Sequence, residues 1–218
     1  MSKFYTEKHR ALQDKFDTRR IADMMENGIM HSEFDEHESA MIQSFDMFFI
    51  STVDAAGRPT VSYKGGAPGF VKVLDSSTLV FPWYDGNGMY YSAGNLLNVP
   101  KVGLLFIDFQ TPNRLRVQGE AEIVFEHPLF QSYGGAEFLV VVAVEVIWVN
   151  CPRYIHPHRK LAQSKYVPQA DRQAPLPAWK RLDIVQDSIP ARDRERVGGE
   201  GGEITQEAYA DLLAKGDA

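Results

Sequence analysis

The chain of 218 residues has one cysteine, Cys151, so an intramolecular disulfide framework is impossible and a reducing compartment is expected. It has no excess of positive charge. Its 23 Lys and Arg stand against 29 Asp and Glu, a net charge of −6, which argues against bulk nucleic-acid binding. No apolar run reaches the ~18 residues of a membrane helix. The longest, Phe138 to Val149, is interrupted by Glu145. The opening segment MSKFYTEKHR carries no apolar stretch of the secretory kind. A GxGxxG after a strand is missing, as is a GxxxxGK followed by Ser or Thr, so the usual phosphate loops are absent. No internal repeat is present. These absences point to a cytoplasmic protein, with no membrane and no nucleic acid among its partners. Its length suits one domain of ~200 residues, or a smaller one with extensions.

What is present divides the chain into three. Residues 1–44 read as a helical extension. Thr6 caps a helix over Glu7 to Asn27, with Leu12, Phe16, Ile21, Met24 and Met25 at roughly helical spacing and Gly28 as its stop. A second short helix is expected over Asp35 to Gln43, with Met41 and Ile42 facing inward.

Residues 45–160 read as mainly β. Phe45 to Val53 is aromatic and β-branched, ends at the turn Asp54-Ala55-Ala56-Gly57, and returns through Pro59 to Lys64, a hairpin with a four- or five-residue loop. Val71 to Leu74 and Thr78 to Phe81 form a second hairpin around Asp75-Ser76-Ser77. Met89 to Asn98 is a short helix stopped by Pro100. Val102 to Phe109, Leu115 to Phe125 and Phe138 to Val149 are further strands. Six or seven strands with short turns and one helix among them predict an antiparallel β-barrel with flanking helices.

Residues 161–218 read as a C-terminal extension. Asp171 to Pro177 and Ile189 to Arg196 are polar, Val197 to Gly202 (VGGEGG) is a flexible linker by composition, and Thr205 caps a last helix through Lys215.

Four patches carry potential chemistry. On the strand Thr60 to Lys64, Ser62 and Lys64 share one face and Tyr63 takes the other. A hydroxyl beside an ammonium holds an anion, and such a pair is equally common at a solvated edge. In Phe81 to Asn95 a strand runs through a Gly-rich turn into a helix whose start supplies free N–H groups suited to phosphate. Trp83 and Tyr84 suit a flat ring; alternatively the glycines are ordinary turn chemistry and the aromatics are core. In Asn113 to Gly119, Arg114 and Arg116 share a face, either solvated or poised for an anion. Asn150 to Lys160 is dense in donors. His156-Pro-His158 lacks further ligands at metal-site spacing, so no metal is expected. Cys151 and His156 offer a nucleophile and a base, without a visible oxyanion or third-member motif; alternatively Cys151 is a small buried residue. Between Gly57 and Gly119, six basic residues (Arg58, Lys64, Lys72, Lys101, Arg114, Arg116) outnumber three Asp, so the acidic total hides a locally basic stretch.

Taken in order, FFISTVDAAGRPTVSYKGGAPGFVKVLD, LVFPWYDGNGMYYSAGNLLNVPKVGLLFIDF, RLRVQGEAEIV and NCPRYIH resemble the pyridoxamine 5′-phosphate oxidase-related FMN-binding split-barrel family. The resemblance covers Phe45 to about Lys160. It implies a homodimer with FMN as cofactor at the subunit interface, and an FMN-dependent oxidoreductase acting on a small organic substrate. A flavin- or haem-binding module without turnover is the alternative on the same barrel. It further implies that Arg58, Ser62, Tyr63, Lys64, Phe81, Pro82, Trp83, Tyr91, Ser92, Asn95, Arg114, Arg116, Arg153 and His156 surround the flavin. Where the oxidases carry an Arg-Lys pair at the helix start, this chain has Tyr91 and Ser92, which leaves the anion to Arg58, Lys64, Arg114 or Arg116. Arg153 to His156 is a looser match to the oxidases' C-terminal Arg-Leu-His. No residue stands out as an obligatory acid or base; Tyr84 and His156 are the candidates.

Overall fold

In the computed structural model, which describes residues 2–169 and 173–217, the chain forms two compact units, Met1–Leu161 and Ala162–Ala218. In the first, three helices precede the sheet: α1 (Glu7–Lys15), α2 (Arg19–Gly28) and α3 (Glu36–Ser44). The single long helix expected from Glu7 to Asn27 is therefore two. Asp17 takes a left-handed conformation, φ 53°, and the chain turns there. Arg10 of α1 clasps α2 through Asp23 (2.6 Å) and Glu26 (3.5 Å). α3 starts at Asp35, whose carboxylate accepts from the Glu38 N–H (2.7 Å) while the Glu38 side chain accepts from the Asp35 N–H, a capping box.

The sheet strands are β1 (Met47–Val53), β2 (Pro59–Gly65), β3 (Lys72–Asp75), β4 (Thr78–Tyr84), β5 (Lys101–Asp108), β6 (Asn113–Val124) and β7 (Ala136–Asn150); α4 (Tyr91–Asn98) lies between β4 and β5. All ladders are antiparallel and run in the order β2-β1-β5-β6-β7-β4-β3. The fold is mainly antiparallel β with flanking helices, as the alternation predicts. In β1, Phe48, Ile50 and Thr52 alternate inward. In β6, Leu115 and Val117 point in while Arg116 stays exposed. The inner faces converge on Phe48, Phe81 and Phe106, all fully buried, with ring centroids 4.9 and 5.3 Å from Phe48. Burying each such ring contributes about 1.5–3 kcal/mol.

One glycine is required by close approach. β6 shifts register between Gln118 and Gly119, and a Cβ on Gly119 would stand 2.1 Å from the Ala143 carbonyl oxygen of β7. The bulge kinks β6 where the sheet curls. The curl brings β2 against β4, strands far apart in ladder order, so Lys64 reaches Trp83.

The second unit contains α5 (Ala191–Val197) and α6 (Gln206–Lys215). Of the polar stretch Asp171 to Pro177, Asp171 and Arg172 lie outside the described residues. Ile189 to Arg196, polar by composition, is mostly helix, with Ile189 buried beside Leu176 and Val197. The glycine run expected as a linker closes a turn: the Arg181 guanidinium donates to the carbonyls of Gly202 (2.9 Å) and Gly201 (3.2 Å). Composition reported the glycines; the hydrogen bonds to Arg181 come from chain twenty residues earlier. Within the same unit Lys180 and Asp193 form a buried ion pair at 2.8 Å.

Candidate functional site

A cavity of about 510 Å³ opens where β2, the end of β4, the loop after it and the start of α4 meet. Its size falls within the range of small-molecule sites. Period-two geometry sends Ser62 and Lys64 of β2 toward it. Tyr63, on the opposite parity, is exposed and borders the rim, its ring edge-on to Phe49 at 6.0 Å. From β4 come Pro82, Trp83 and Tyr84. The wall is completed by Asp85 to Tyr90 and by Tyr91 and Ser92 of α4.

Trp83 is pinned from one side by Phe138, stacked at 5.4 Å and 18°. Lys64 Nζ lies 3.5 Å from its ring centre, a cation–π contact. No hydrogen bond or ion pair reaches this ammonium among the described residues. Burial alone pulls its pKa down to about 8, because the charged form has lost water without gaining a counter-charge. Tyr84 is pushed up, also by burial.

Three polar rungs fasten α4 to the β1–β2 hairpin. Asn95 Nδ2 donates to Thr52 Oγ1 (3.1 Å), with both residues buried. Ser62 and Ser92 hydroxyls meet at 3.1 Å. Tyr91 OH donates to Asp54 Oδ2 (3.3 Å). Asp54 also accepts from the N–H groups of Ala56 and Arg58 (2.9 Å each) and from Arg58 Nε (2.7 Å). The Arg58 backbone bond first, then its guanidinium and the Ala56 N–H, hold this carboxyl below its ordinary range. The rim is strained at Tyr90, a non-glycine residue at φ 48° just before α4, whose hydroxyl donates to Glu137 (2.7 Å).

Of the expected residues, the structure therefore gathers Ser62, Tyr63, Lys64, Pro82, Trp83, Tyr91 and Ser92 around one cavity. The others lie elsewhere in the chain. Phe81 is fully buried against Phe48 and belongs to the core. Asn95 is spent on Thr52. Arg58 is held by Asp54 and is otherwise largely exposed. Arg116 lies over Trp148 at 5.9 Å. Arg114 faces Asn150 across the β6–β7 ladder, and both its Nε and the Asn150 Oδ1 are buried without a partner among the described residues. Arg153 and His156 are exposed, on a segment that folds back along β5 through the His158 N–H to the Phe109 carbonyl (2.9 Å). Cys151, read as buried, is exposed because β7 ends at Asn150. Among the described residues no three His, Cys, Asp or Glu side chains converge as a metal site would need, and no helix is long and apolar enough to cross a membrane.

Reading the sequence missed Asp54, Thr52 and Phe138. Asp54 left a signal, since an Asp opening Asp-x-x-Gly-Arg is a turn that captures its own backbone. Phe138 and Thr52 left none, because their roles depend on which strands lie side by side.

The family model of the pyridoxamine 5′-phosphate oxidases matches residues 34–146. No curated protein matches the chain. Among solved structures it is similar to HupZ of Group A Streptococcus, 20% identical over 53% of this chain and 94% of that one, TM-score 0.44. A putative pyridoxamine 5′-phosphate oxidase of Lactobacillus delbrueckii is 24% identical over 54% and 95%, TM-score 0.43. An FMN-binding protein of Syntrophomonas wolfei is 12% identical over 65% and 96%, TM-score 0.41.

Proposed function

Since the chain belongs to the pyridoxamine 5′-phosphate oxidase family, we propose that it is a flavoprotein that holds FMN in the cavity between β2, β4 and α4 and acts as an oxidoreductase on a small organic substrate. One observation carries the reading: an ammonium without a counter-charge, Lys64, lies in a cavity of about 510 Å³ walled by Trp83. Such a site fits a flat aromatic group that brings electron-rich oxygens or negative charge with it.

When bound, the flavin supplies the hydride or electron transfer, and the protein supplies position and electrostatics. Lys64 is the fixed positive charge that stabilises negative charge on a ligand. The Ser62 and Ser92 hydroxyls, already paired with each other, offer hydrogen bonds at the junction of β2 and α4. The three rungs from the hairpin hold the start of α4 in the cavity wall. Trp83, backed by Phe138, excludes water from one side.

The reading includes a homodimer. β2 is an edge strand with Val61 and Tyr63 exposed, and α4 exposes Leu97. An edge of this kind is normally covered. Arg114, Arg116, Arg153 and His156 lie outside the cavity of their own chain, and a second copy is the means by which they would meet a flavin.

The absorption spectrum of the purified protein tests this reading, followed by denaturation and identification of any released chromophore. Flavin bands, or uptake of added FMN with quenching of its fluorescence, are expected. A Soret band would replace FMN by haem. A colourless protein that ignores FMN would end the proposal. Bleaching of the bound flavin by a nicotinamide reductant separates turnover from a binding-only role.

A further inference from the structure

The lysines whose partners are defined are each occupied. Lys101 pairs with Glu120 (2.8 Å) and Glu145 (2.7 Å). Lys180 pairs with Asp193 (2.8 Å), Lys160 with Asp46, and Lys72 donates to Ser132 (3.0 Å). Among the described residues Lys64 meets only the face of Trp83. It also stands inside a cavity large enough for a second molecule rather than in sealed core. An amine stripped of water and counter-charge, yet reachable, is the setting in which lysine becomes a nucleophile.

We infer that in the flavin-free chain Lys64 captures small aromatic aldehydes as a reversible imine, a covalent site distinct in kind from the flavin contact proposed above although it shares that cavity. Trp83 provides the flat wall an aromatic ring would lie against. Its partner Phe138 keeps the indole in place. The fall of the Lys64 pKa from 10.5 to about 8 raises the neutral fraction at pH 7 from about one in three thousand to about one in ten.

The chemistry balances without an oxidant. The lone pair of neutral Nζ attacks the aldehyde carbon, the carbonyl π electrons move to oxygen, and a proton passes from nitrogen to that oxygen to give a carbinolamine. The nitrogen lone pair then expels the hydroxyl, which leaves with a proton as water. Amine and aldehyde become imine and water. Ser62 leaves β2 on the same face as Lys64, and its hydroxyl contacts that of Ser92 at 3.1 Å, so two hydroxyls line the cavity to relay those protons.

The test uses the full chain freed of flavin, 4-carboxybenzaldehyde as the probe, and cyanoborohydride to reduce the imine to a stable secondary amine. Peptide mapping by mass spectrometry should find Lys64 labelled at least about tenfold faster than the exposed Lys3 and Lys8. Lys64→Arg keeps the charge and should lose that label. Added FMN should protect Lys64. Label spread over surface lysines, or a clean Lys64 peptide, overturns the inference. FMN binding is titrated separately on the same preparation. Binding without imine formation defeats only this inference, and imine formation without FMN binding defeats only the flavin reading.

Discussion

The ammonium nitrogen of Lys64 lies 3.5 Å from the centre of the Trp83 ring and meets no carboxylate among the described residues. The two residues come from strands far apart in the ladder order, β2 and β4, and are joined only because the sheet curls. A desolvated charge held against an aromatic face lies uphill of the same charge in water and gains by acquiring an anionic partner.

Flavin affinity should therefore depend on pH through Lys64. A bound anion favours the ammonium and raises its pKa, so binding takes up a proton once the free site has lost one. Affinity should be flat below about pH 8 and fall by up to about tenfold per unit as pH rises above it. Fluorescence titration of FMN between about pH 6.5 and 9.5 reads this directly. Lys64→Arg, which stays charged throughout, should remove the slope; an unchanged slope would exclude Lys64 as its source.

Lys64→Met should stabilise the fold while weakening flavin binding. The depressed pKa means that the folded state binds the proton less well than the unfolded chain, so the charge costs stability below about pH 8. That cost fades as pH rises from there toward the unfolded value of 10.5. Met fills similar space without the charge, and a gain of about 1–3 kcal/mol near pH 7 is expected from denaturant unfolding. A loss of stability would show that the contact with Trp83 outweighs desolvation.

Asn95 acts through position. Asn95→Ala removes its bond to Thr52 and leaves a buried hydroxyl unpaired, at a cost of about 1–3 kcal/mol. Thr52→Val with Asn95→Leu replaces both partners by apolar groups and should cost less than the sum of the single changes. FMN affinity should follow the coupling between the two residues. If Asn95→Ala weakens binding equally whether position 52 is Thr or Val, a direct contact with the ligand is the better account.

His31 ties the segment before α3 to the sheet. Its backbone exchanges hydrogen bonds with Ile147 (3.1 and 2.7 Å), and its Nε2 meets Glu38 Oε2 at 2.9 Å. Burial works against the charged imidazole, but Glu38 and the Ile29 carbonyl together outweigh it and raise the pKa. The stabilisation is complete below about pH 6.5 and is lost as pH rises through the higher folded value. Thermal unfolding should separate wild type from His31→Ala more at pH 6 than at pH 9. An equal separation at the two pH values would exclude the imidazole charge as its source.

The strands were legible because burial writes them locally. Phe48, Ile50 and Thr52 alternate inward in β1, as do Leu115 and Val117 in β6, and period two needs no knowledge of the rest of the chain. The same periodicity puts Ser62 and Lys64 on one face of β2 by spacing alone. It does not reveal that Phe81 faces the core, because β4 is buried on both sides and its sequence does not alternate. Nor does it reveal the break at Asp17, a residue type that tolerates the left-handed region without demanding it.

By itself the sequence determined an antiparallel, mainly β protein, the basic stretch from Gly57 to Gly119, and a family resemblance carried by ordered motifs. Only the tertiary structure decided which donors share a cavity. It joined Lys64 to Trp83, spent Asn95 on Thr52 and Arg58 on Asp54, and left Arg114 facing Asn150. The physical reason is that hydrophobic alternation is set by near neighbours along the chain. The partner of a polar side chain is set by strand register and sheet curvature, which depend on residues far away in sequence.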